Sequence, residues 1–205
     1  MQRPLKGTAP DPMRLLPPIT KAFLLACVGM FCLLVLAPQF APPLELWPLD
    51  SEFFRPWQVL SYALLHVNFQ HLFFNMLGIW MFGIELEQLL GPKRFAMLLL
   101  ASILSAAAGH MLLNLVIANP TRIVGASGAT FGLLLAYGMF FAERIVEPVF
   151  PPIPMKTKYL VAIFGLIELV TGMSSNNGLS HVAHLGGMVG AFVLIRHWRS
   201  PKRRK

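Results

Sequence analysis

Charged side chains are scarce in this 205-residue chain, since Asp, Glu, Lys and Arg together make up 13% of it. A soluble globular domain carries about 25% charged residues. Here 56% of the residues are hydrophobic and the mean hydropathy is +0.62. These values exclude a disordered chain and argue against a water-soluble domain. The net charge of +8 does not indicate nucleic-acid binding, because the basic residues are not spread through a polar fold. The composition predicts a polytopic membrane protein of one domain, or at most a small pair.

Cysteine is scarce too. Cys27 and Cys32 lie in one apolar run, too close on a single helix to form a structural disulfide. This excludes a disulfide framework, and cysteine usage indicates no redox compartment. Prolines crowd the region before the first apolar run, and no small-residue cleavage site follows that run. We therefore expect no cleavable signal peptide.

Long apolar runs are what the chain has instead. A helix needs about 20 mainly apolar residues to cross a bilayer. Six segments predict such helices, the last three of them short: 19–37, 68–90, 95–118, 127–142, 159–171 and 181–195. The predicted fold class is all-α, with six transmembrane helices. Residues 1–18 and 198–205 are expected to be cytoplasmic tails around a domain of residues 19–197.

The distribution of basic residues supports this count. With the N-terminus in the cytoplasm, 15 of the 17 Lys and Arg residues fall on the cytoplasmic side, and only Arg55 and Arg122 lie outside. Basic residues favour cytoplasmic loops. We therefore expect a multi-pass protein of the cytoplasmic (inner) membrane with both termini in the cytoplasm. The basic end of the chain is expected to anchor this topology on anionic lipid rather than to bind nucleic acid.

The first outer loop, residues 39–67, is punctuated by aromatic and aliphatic side chains such as Trp47 and Trp57. Aromatic side chains often lie at the level of the lipid headgroups. Two interpretations remain open. The loop lies in the outer interface of the bilayer, or it is an ordinary loop with a few aromatic residues.

Polar residues inside the predicted spans are costly and are candidates for function. We count a rise of 1.5 Å per residue from a cytoplasmic charge at the end of each span. Ser127 and His71 then lie roughly 24 Å above that charge, and Asn75 and His184 roughly 18 Å. In a hydrocarbon core about 30 Å thick, these four residues from three helices share one layer below the outer face.

The chemistry of this layer suits acyl transfer. A serine hydroxyl becomes a nucleophile when a base, most often histidine, removes its proton. The developing oxyanion then needs hydrogen-bond donors. His71 and Asn75 are spaced i, i+4, so they share one helix face and could both donate. Backbone N–H groups at the start of the fourth span could add a third donor.

Glycines accompany the serine and the second histidine. The sequence GASGATFG surrounds Ser127 with Gly125 and Gly128, and AHLGGMVG places Gly187 after His184. Small residues allow membrane helices to approach closely. The two G-x-x-x-G patterns alone indicate no more than generic packing. Their coincidence with a serine and a histidine favours a Ser–His hydrogen bond between two helices.

Three motifs carry a more specific indication: GASG at Ser127, H-x-x-x-N from His71 to Asn75, and AHLGG at His184. Together they resemble the rhomboid intramembrane serine proteases, from about Trp57 to the end of the sixth span. The resemblance implies a six-helix core and a Ser–His dyad without an acid. It also implies cleavage of peptide bonds in or near the transmembrane segments of single-span membrane proteins, without a cofactor. With no large N-terminal domain and no seventh span expected, the chain resembles the minimal bacterial form.

The resemblance also assigns roles to individual residues. Ser127 matches the nucleophile and His184 the base, and His71 and Asn75 match the oxyanion residues. Gly125, Gly128 and Gly187 support the site through close packing.

Three further matches and two departures concern the helices around the site. Gly83, Glu87 and Gly91 match the pattern by which the family's second span ends and turns. The family often has tyrosine four residues after the serine, where this chain has Phe131, which can stack on the base but has no hydroxyl. Ala191 stands where a glycine is usual.

Two alternative functions remain open: a transporter or channel, and a non-catalytic protein that binds and escorts membrane proteins. A metal site could be built from four histidines, namely His66, His71, His181 and His184. It would lack the usual carboxylate ligand, so we expect no metal. The oligomeric state is open. Glu168, near mid-membrane, has no assigned role and is expected to be protonated and hydrogen-bonded, or to face water.

Overall fold

The computed structural model describes residues 16–116, 121–147, 152–174 and 178–200. The side chains of residues 173, 174 and 178–180 are outside that description. Most of the predicted N-terminal tail and the last five residues of the basic tail also lie outside the described residues. The same holds for Ala118, the predicted end of the third span.

Each of the six predicted segments is a helix. In chain order the helices, with a short additional helix named α2, are α1 (Pro18–Leu36), α2 (Gln58–Ser61), α3 (Phe69–Leu90), α4 (Pro92–Asn114), α5 (Ser127–Phe140), α6 (Thr157–Ser174) and α7 (Gly178–Arg199). The predicted ends differ from these by as many as four residues. Two helices of the described segments, α1 and α4, are long and apolar enough to cross a membrane, and α5 is a shorter apolar helix. The count of six membrane spans stays a prediction.

Local capping explains several helix ends. The side chain of Asn68 accepts a hydrogen bond of 2.8 Å from the backbone N–H of His71, which starts α3 as an N-cap. Gly91 ends α3 with a φ of +77°, a conformation that favours glycine. Pro92 then opens α4 at a position where proline is well tolerated.

A buried carboxylate fastens α1 to α3. Glu87 is 2% exposed. Its Oε1 accepts from the backbone N–H of Ile19 at 2.9 Å, and its Oε2 accepts from the backbone N–H and the hydroxyl of Thr20 at 2.7 and 2.8 Å. The first N–H groups of a helix have no partner within it, so Glu87 satisfies the start of α1. Glu87 is one of the three residues expected to end and turn the second span.

The segment between α1 and α3 is folded by its own hydrogen bonds. The indole N–H groups of Trp47 and Trp57 donate to the carbonyls of Pro42 and Pro43, both at 2.9 Å. Leu46 pairs with Ile123 in an isolated antiparallel bridge. Several apolar side chains of this segment are nonetheless about half exposed: Phe40, Leu49, Phe53 and Trp57. This exposure suits an interfacial position, and the two interpretations of the loop remain predictions.

A two-stranded hairpin between α5 and α6 is a small exception to the predicted all-α fold. It pairs β1 (Ile145–Val146) with β2 (Met155–Lys156). Glu143 at its base forms ion pairs with Lys156, at 2.8 Å, and with Lys158. The hydrogen bonds from these lysines lower the pKa of Glu143 to about 2. Two-residue strands have too short a hydrophobic pattern for the sequence to predict them.

Helix α7 packs against α4, α5 and α6, and small residues line its contacts. A Cβ on Gly187 would overlap the backbone carbonyl of Gly128 on α5. One on Gly186 would lie 2.7 Å from the carbonyl oxygen of Ser105 on α4. The hydroxyl of Ser105 donates to the carbonyl of Gly186 at 2.7 Å. Small residues on both sides bring the helix backbones into direct contact.

We expect Gly187→Ala to destabilise the protein. The added methyl group would meet backbone atoms of α5, which cannot rotate away, and overpacking of this kind costs about 1–3 kcal/mol. The measurement is the melting temperature in detergent. Gly29→Ala on α1 is the matched control, because no heavy atom lies within 4 Å of the added methyl group. Equal melting temperatures for the two variants would contradict the close α5–α7 contact.

Candidate active site

Ser127 is the first residue of α5. Gly125, two residues before it, has a φ of +128°, which favours glycine. The N–H of Gly125 donates to the carbonyl of Tyr62 at 2.9 Å. A Cβ on Gly125 would lie 2.6 Å from Cε1 of His71 and 3.8 Å from Oγ of Ser127. The glycine therefore leaves room for the imidazole of His71 beside the serine.

His184 on α7 meets Ser127 across the contact between the two helices. Its Nε2 lies 2.8 Å from Oγ of Ser127. The sequence separation is 57 residues, so only the packing of α5 against α7 can bring them together. Gly128 and Gly187, each one turn or less from these side chains, are the residues at which the backbones touch.

Phe131 lies one turn after Ser127 and stacks on the imidazole of His184. The ring centroids are 4.5 Å apart and the planes differ by 10°. Phe131 also makes an edge contact with Phe164 of α6. The phenyl ring therefore provides the stacking expected of it without a hydroxyl.

His71 and Asn75 lie on the face of α3 that points to the site. Asn75 is 5% exposed. Its Nδ2 donates to the carbonyl of His71 at 2.8 Å, and its Oδ1 accepts from the hydroxyl of Thr130 on α5 at 3.1 Å. Nδ1 of His71 is buried and has no hydrogen-bond partner within the described residues. The structure thus brings all four residues of the predicted layer to one place.

Glu168 on α6 is the site residue that sequence reasoning missed. Its Oε2 lies 2.8 Å from Nδ1 of His184 and 2.7 Å from Nδ1 of His181. The structure therefore places a glutamate side chain beside His184, which the expected dyad without an acid does not include. The signal was available in the depth count. Glu168 lies ten residues from Lys158, roughly 15 Å, close to the roughly 18 Å of His184.

The remaining histidines have other surroundings. His66 is buried, and its ring lies edge-on to that of His71, with centroids 5.1 Å apart. His110 is buried, and its Nε2 lies 2.9 Å from the carbonyl oxygen of Thr121 and 2.9 Å from Nδ2 of Asn114. These contacts join His110 on α4 to the segment that precedes α5.

One cluster in the described residues has the composition of a metal site. The potential ligand atoms of Glu168, His181 and His184 all lie within 4.8 Å of one another. This set differs from the four histidines weighed above, since it includes a carboxylate and omits His66 and His71. The hydrogen bonds to Ser127 and Glu168 already engage both ring nitrogens of His184.

A cavity of about 790 Å³ opens beside Ser127, between α3, α5 and α6. Most of its lining is apolar. The lining includes Ser127 and Asn75, the predicted nucleophile and oxyanion donor, and their neighbours Thr130 and Phe131. The far wall comes from α6 through Leu160 and Phe164. An extended apolar segment of a substrate could lie in this space with its backbone against the serine.

Comparison with known proteins agrees with these motifs. A family model described as "Rhomboid domain" matches residues 54–199. The chain is 31% identical over 143 residues to "Putative rhomboid protease YdcA" of Bacillus subtilis (strain 168), covering 67% of this chain and 65% of that protein. It is 24% identical over 185 residues to "Rhomboid protease GlpG" of Yersinia pestis (strain Pestoides F), covering 88% of this chain and 62% of that protein.

The chain thus spans slightly less than two thirds of the length of these relatives. The matched region contains all three motifs and every helix from α2 to α7. Because the family model covers well over half of the sequence, this chain belongs to the rhomboid family.

Proposed function

We propose that this protein is an intramembrane serine endopeptidase that cleaves peptide bonds in or near the transmembrane segments of other membrane proteins. The observation that carries the proposal is the 2.8 Å contact between Oγ of Ser127 and Nε2 of His184, in a chain of the rhomboid family. A nucleophile within hydrogen-bond reach of its base is the signature of covalent catalysis.

In the proposed reaction Nε2 of His184 takes the hydroxyl proton as Oγ of Ser127 attacks the carbonyl carbon of the scissile bond. The tetrahedral intermediate collapses, and His184 gives the proton to the leaving amine. The acyl group then stays on Ser127. In the second half of the reaction water loses a proton to His184 as it attacks the acyl group. His184 then returns that proton to Oγ of Ser127, which releases the new carboxylate and restores the free serine.

Three groups surround the place where the oxyanion would form. Asn75 uses one N–H of its amide on its own helix, which leaves the other available. His71 contributes a ring beside Gly125, and its buried Nδ1 has no hydrogen-bond partner among the residues that the structure describes. The first N–H groups of α5 lack partners within that helix. In the proposal these donors bind the oxyanion, and each hydrogen bond stabilises it more than the same bond would in water.

The cavity supports a membrane-protein substrate. Its apolar walls suit the side chains of a transmembrane segment, and its polar end holds Ser127 and Asn75. We infer that a single-span membrane protein enters from the lipid between α3 and α6. No nucleic acid and no cofactor have a part in this reaction, which needs only water and the side chains named above.

The rhomboid family and the apolar helices identify an integral membrane protein. We propose further that six helices cross the cytoplasmic membrane and that both termini are cytoplasmic. The charge pattern supports this orientation. Glu85 and Arg144 form an ion pair near the end of α5 that is distant from Ser127, and the basic residues Arg196 and Arg199 lie in the last turn of α7.

The dyad generates the first functional prediction. Ser127→Ala and His184→Ala should each abolish cleavage of a single-span model substrate, because the nucleophile or its base is gone. Melting temperatures should stay close to wild type. A fluorophosphonate probe should label the wild type at Ser127. Absence of labelling would favour the escort or transporter alternatives, and substantial cleavage by either variant would remove the dyad assignment.

The topology has its own test. Reporter fusions after Lys205 and within residues 147–156 should report a cytoplasmic location, and fusions near Asp50 an external one. The reason is the excess of basic residues in the proposed cytoplasmic segments. A cytoplasmic signal at Asp50 would contradict the six-span arrangement.

The oxyanion assignment predicts a kinetic signature. Asn75→Ala and His71→Ala should lower kcat more than they raise KM, because the donors act in the transition state. Loss of one such donor costs about 10²–10³ in kcat in a soluble protease. We expect a smaller loss for Asn75→Ala, since backbone donors share the task, and a larger one for His71→Ala, which also empties a site beside the serine.

The control for this prediction separates catalysis from packing. Both variants should still be labelled at Ser127, because the dyad is intact. The kcat of active-site-titrated enzyme is measured together with the melting temperature. If activity falls only in step with thermal stability and kcat per folded molecule is unchanged, the oxyanion role is wrong and both residues only fasten α3 to its neighbours.

A further inference from the structure

Glu168 is a buried carboxylate in an apolar helix, with 7% of its surface exposed. An ionisable group in such a place is energetically costly and is therefore a candidate for function. Its Oε2 is within 2.8 Å of Nδ1 of His184 and within 2.7 Å of Nδ1 of His181. Both histidines lie one turn apart on α7. The carboxylate therefore faces the base on the side opposite Ser127.

The protonation of Glu168 decides which nitrogen of His184 can act. An ionised carboxylate only accepts hydrogen bonds, so Nδ1 of His184 must carry the proton and Nε2 is left with a lone pair. That lone pair faces the hydroxyl of Ser127 at 2.8 Å. A protonated Glu168 could donate to Nδ1 and would place the proton on Nε2, where it prevents proton transfer from Ser127. The ionised form is the productive one.

The imidazole of His184 is held from three directions. Oγ of Ser127 contacts one nitrogen and Glu168 the other, while Phe131 stacks on the face of the ring at 4.5 Å. Nδ1 of His181 contacts the same oxygen at 2.7 Å, and it is the donor when Glu168 is ionised. This second donor helps to stabilise a charge that would be costly without hydrogen bonds.

We propose that Glu168 is a positioning residue that completes a Ser127–His184–Glu168 triad, with His181 holding its carboxylate. The proposal rests on the proposed protease function. Glu168 keeps the proton on Nδ1 of His184 and stabilises the imidazolium that forms when Nε2 takes the proton of Ser127. The Nδ1 proton stays on His184 throughout and does not pass to Glu168, which touches no substrate atom. The dyad that the family resemblance implies is thereby extended in this chain by an acid from α6.

A purely structural role would look different. Glu168 also joins α6 to α7 through His181, and removing it would loosen that contact whatever it does for His184. Thr171 lies 3.1 Å from Nδ1 of His181 and belongs to the same fastening. The two roles are separated by a variant that removes the fastening through His181 and leaves the Glu168–His184 hydrogen bond in place.

The experiment compares Glu168→Gln, Glu168→Asp and His181→Phe with the wild type. Loss of the acid in soluble triad proteases costs about 10⁴ in kcat. We expect Glu168→Gln to lower kcat by about 10² or more with little change in KM, because the amide can donate to Nδ1 and favour the wrong tautomer. Glu168→Asp should restore part of the loss. His181→Phe should lower the melting temperature and should lower kcat by less than Glu168→Gln does, because the contact between Glu168 and His184 stays in place.

The pH profile of kcat/KM provides a readout that a fastening role would not move. The titratable groups near the site are His66 before α3, His71 on α3, and His181 on α7 beside Glu168 and His184. They are unchanged in Glu168→Gln. Because Glu168→Gln removes a negative charge in contact with the Ser127–His184 pair, the acidic limb of the profile should move to lower pH. An unchanged profile, with activity falling only as the melting temperature falls, would overturn the proposal.

A spectroscopic measurement decides the matter even if the protein proves not to be a protease. In ¹⁵N-histidine-labelled protein, the resonances of His184 are identified by their loss in His184→Ala. We expect the proton on Nδ1 in the wild type and on Nε2, or shared between both nitrogens, in Glu168→Gln. The same tautomer in both proteins would refute the positioning role. Failure of the protease function would appear separately, as absence of Ser127 labelling in the wild type.

Discussion

The contact between α5 and α7 is the constraint on which the rest of the site depends. A Cβ on Gly187 would overlap the backbone carbonyl of Gly128, so the two helix backbones touch at this point. At this separation a serine at the start of one helix and a histidine on the other can share a hydrogen bond of 2.8 Å. Larger residues at the contact would force the helices apart and leave both side chains unpaired in an apolar environment, where unpaired polar groups are costly.

The same cost explains how the other buried polar groups are arranged. Glu87 is satisfied by the start of α1, and Asn75 by its own helix and by Thr130. Ser105 donates to the carbonyl of Gly186. In an apolar surrounding each such bond has no water to replace it. Hydrogen bonds between polar residues therefore fix the positions of neighbouring helices relative to one another. The position of Ser127 beside the cavity depends on these helix positions.

The site divides into a rigid part and an open part. Ser127 and His184 are held by the packing of α5 and α7 and by the stacking of Phe131. The cavity lies on the other side of Ser127, where α3 and α6 contribute walls without close contact of the kind seen between α5 and α7. Such an arrangement keeps the reacting groups in place while leaving an entry for an apolar segment. The proposed protease function needs both properties, the first to orient the reacting groups and the second to admit a substrate segment.

Much of this could be predicted from the sequence, because the helices and the polar layer depend on local patterns. Apolar runs, Asn68 as a cap and Gly91 as a stop locate helices to within a few residues, since a helix end depends on the residues next to it. A depth count from cytoplasmic charges places Ser127, His71, Asn75 and His184 in one layer, because the rise per residue of a helix is constant. The motifs around these residues indicate the family.

Tertiary structure alone decided which of these residues touch. The rotation of α6 about its axis brings Glu168 onto His184 and His181, and no pattern within α6 specifies that rotation. The short hairpin and the fold of the segment before α3 likewise depend on partners distant in sequence, such as Leu46 with Ile123. Depth along a helix follows from counting residues, whereas the direction of a side chain around the helix axis is set by the packing of its neighbours. For this reason the sequence predicted Ser127, His184 and the layer that they share, and only the packed helices determined that Glu168 meets His184.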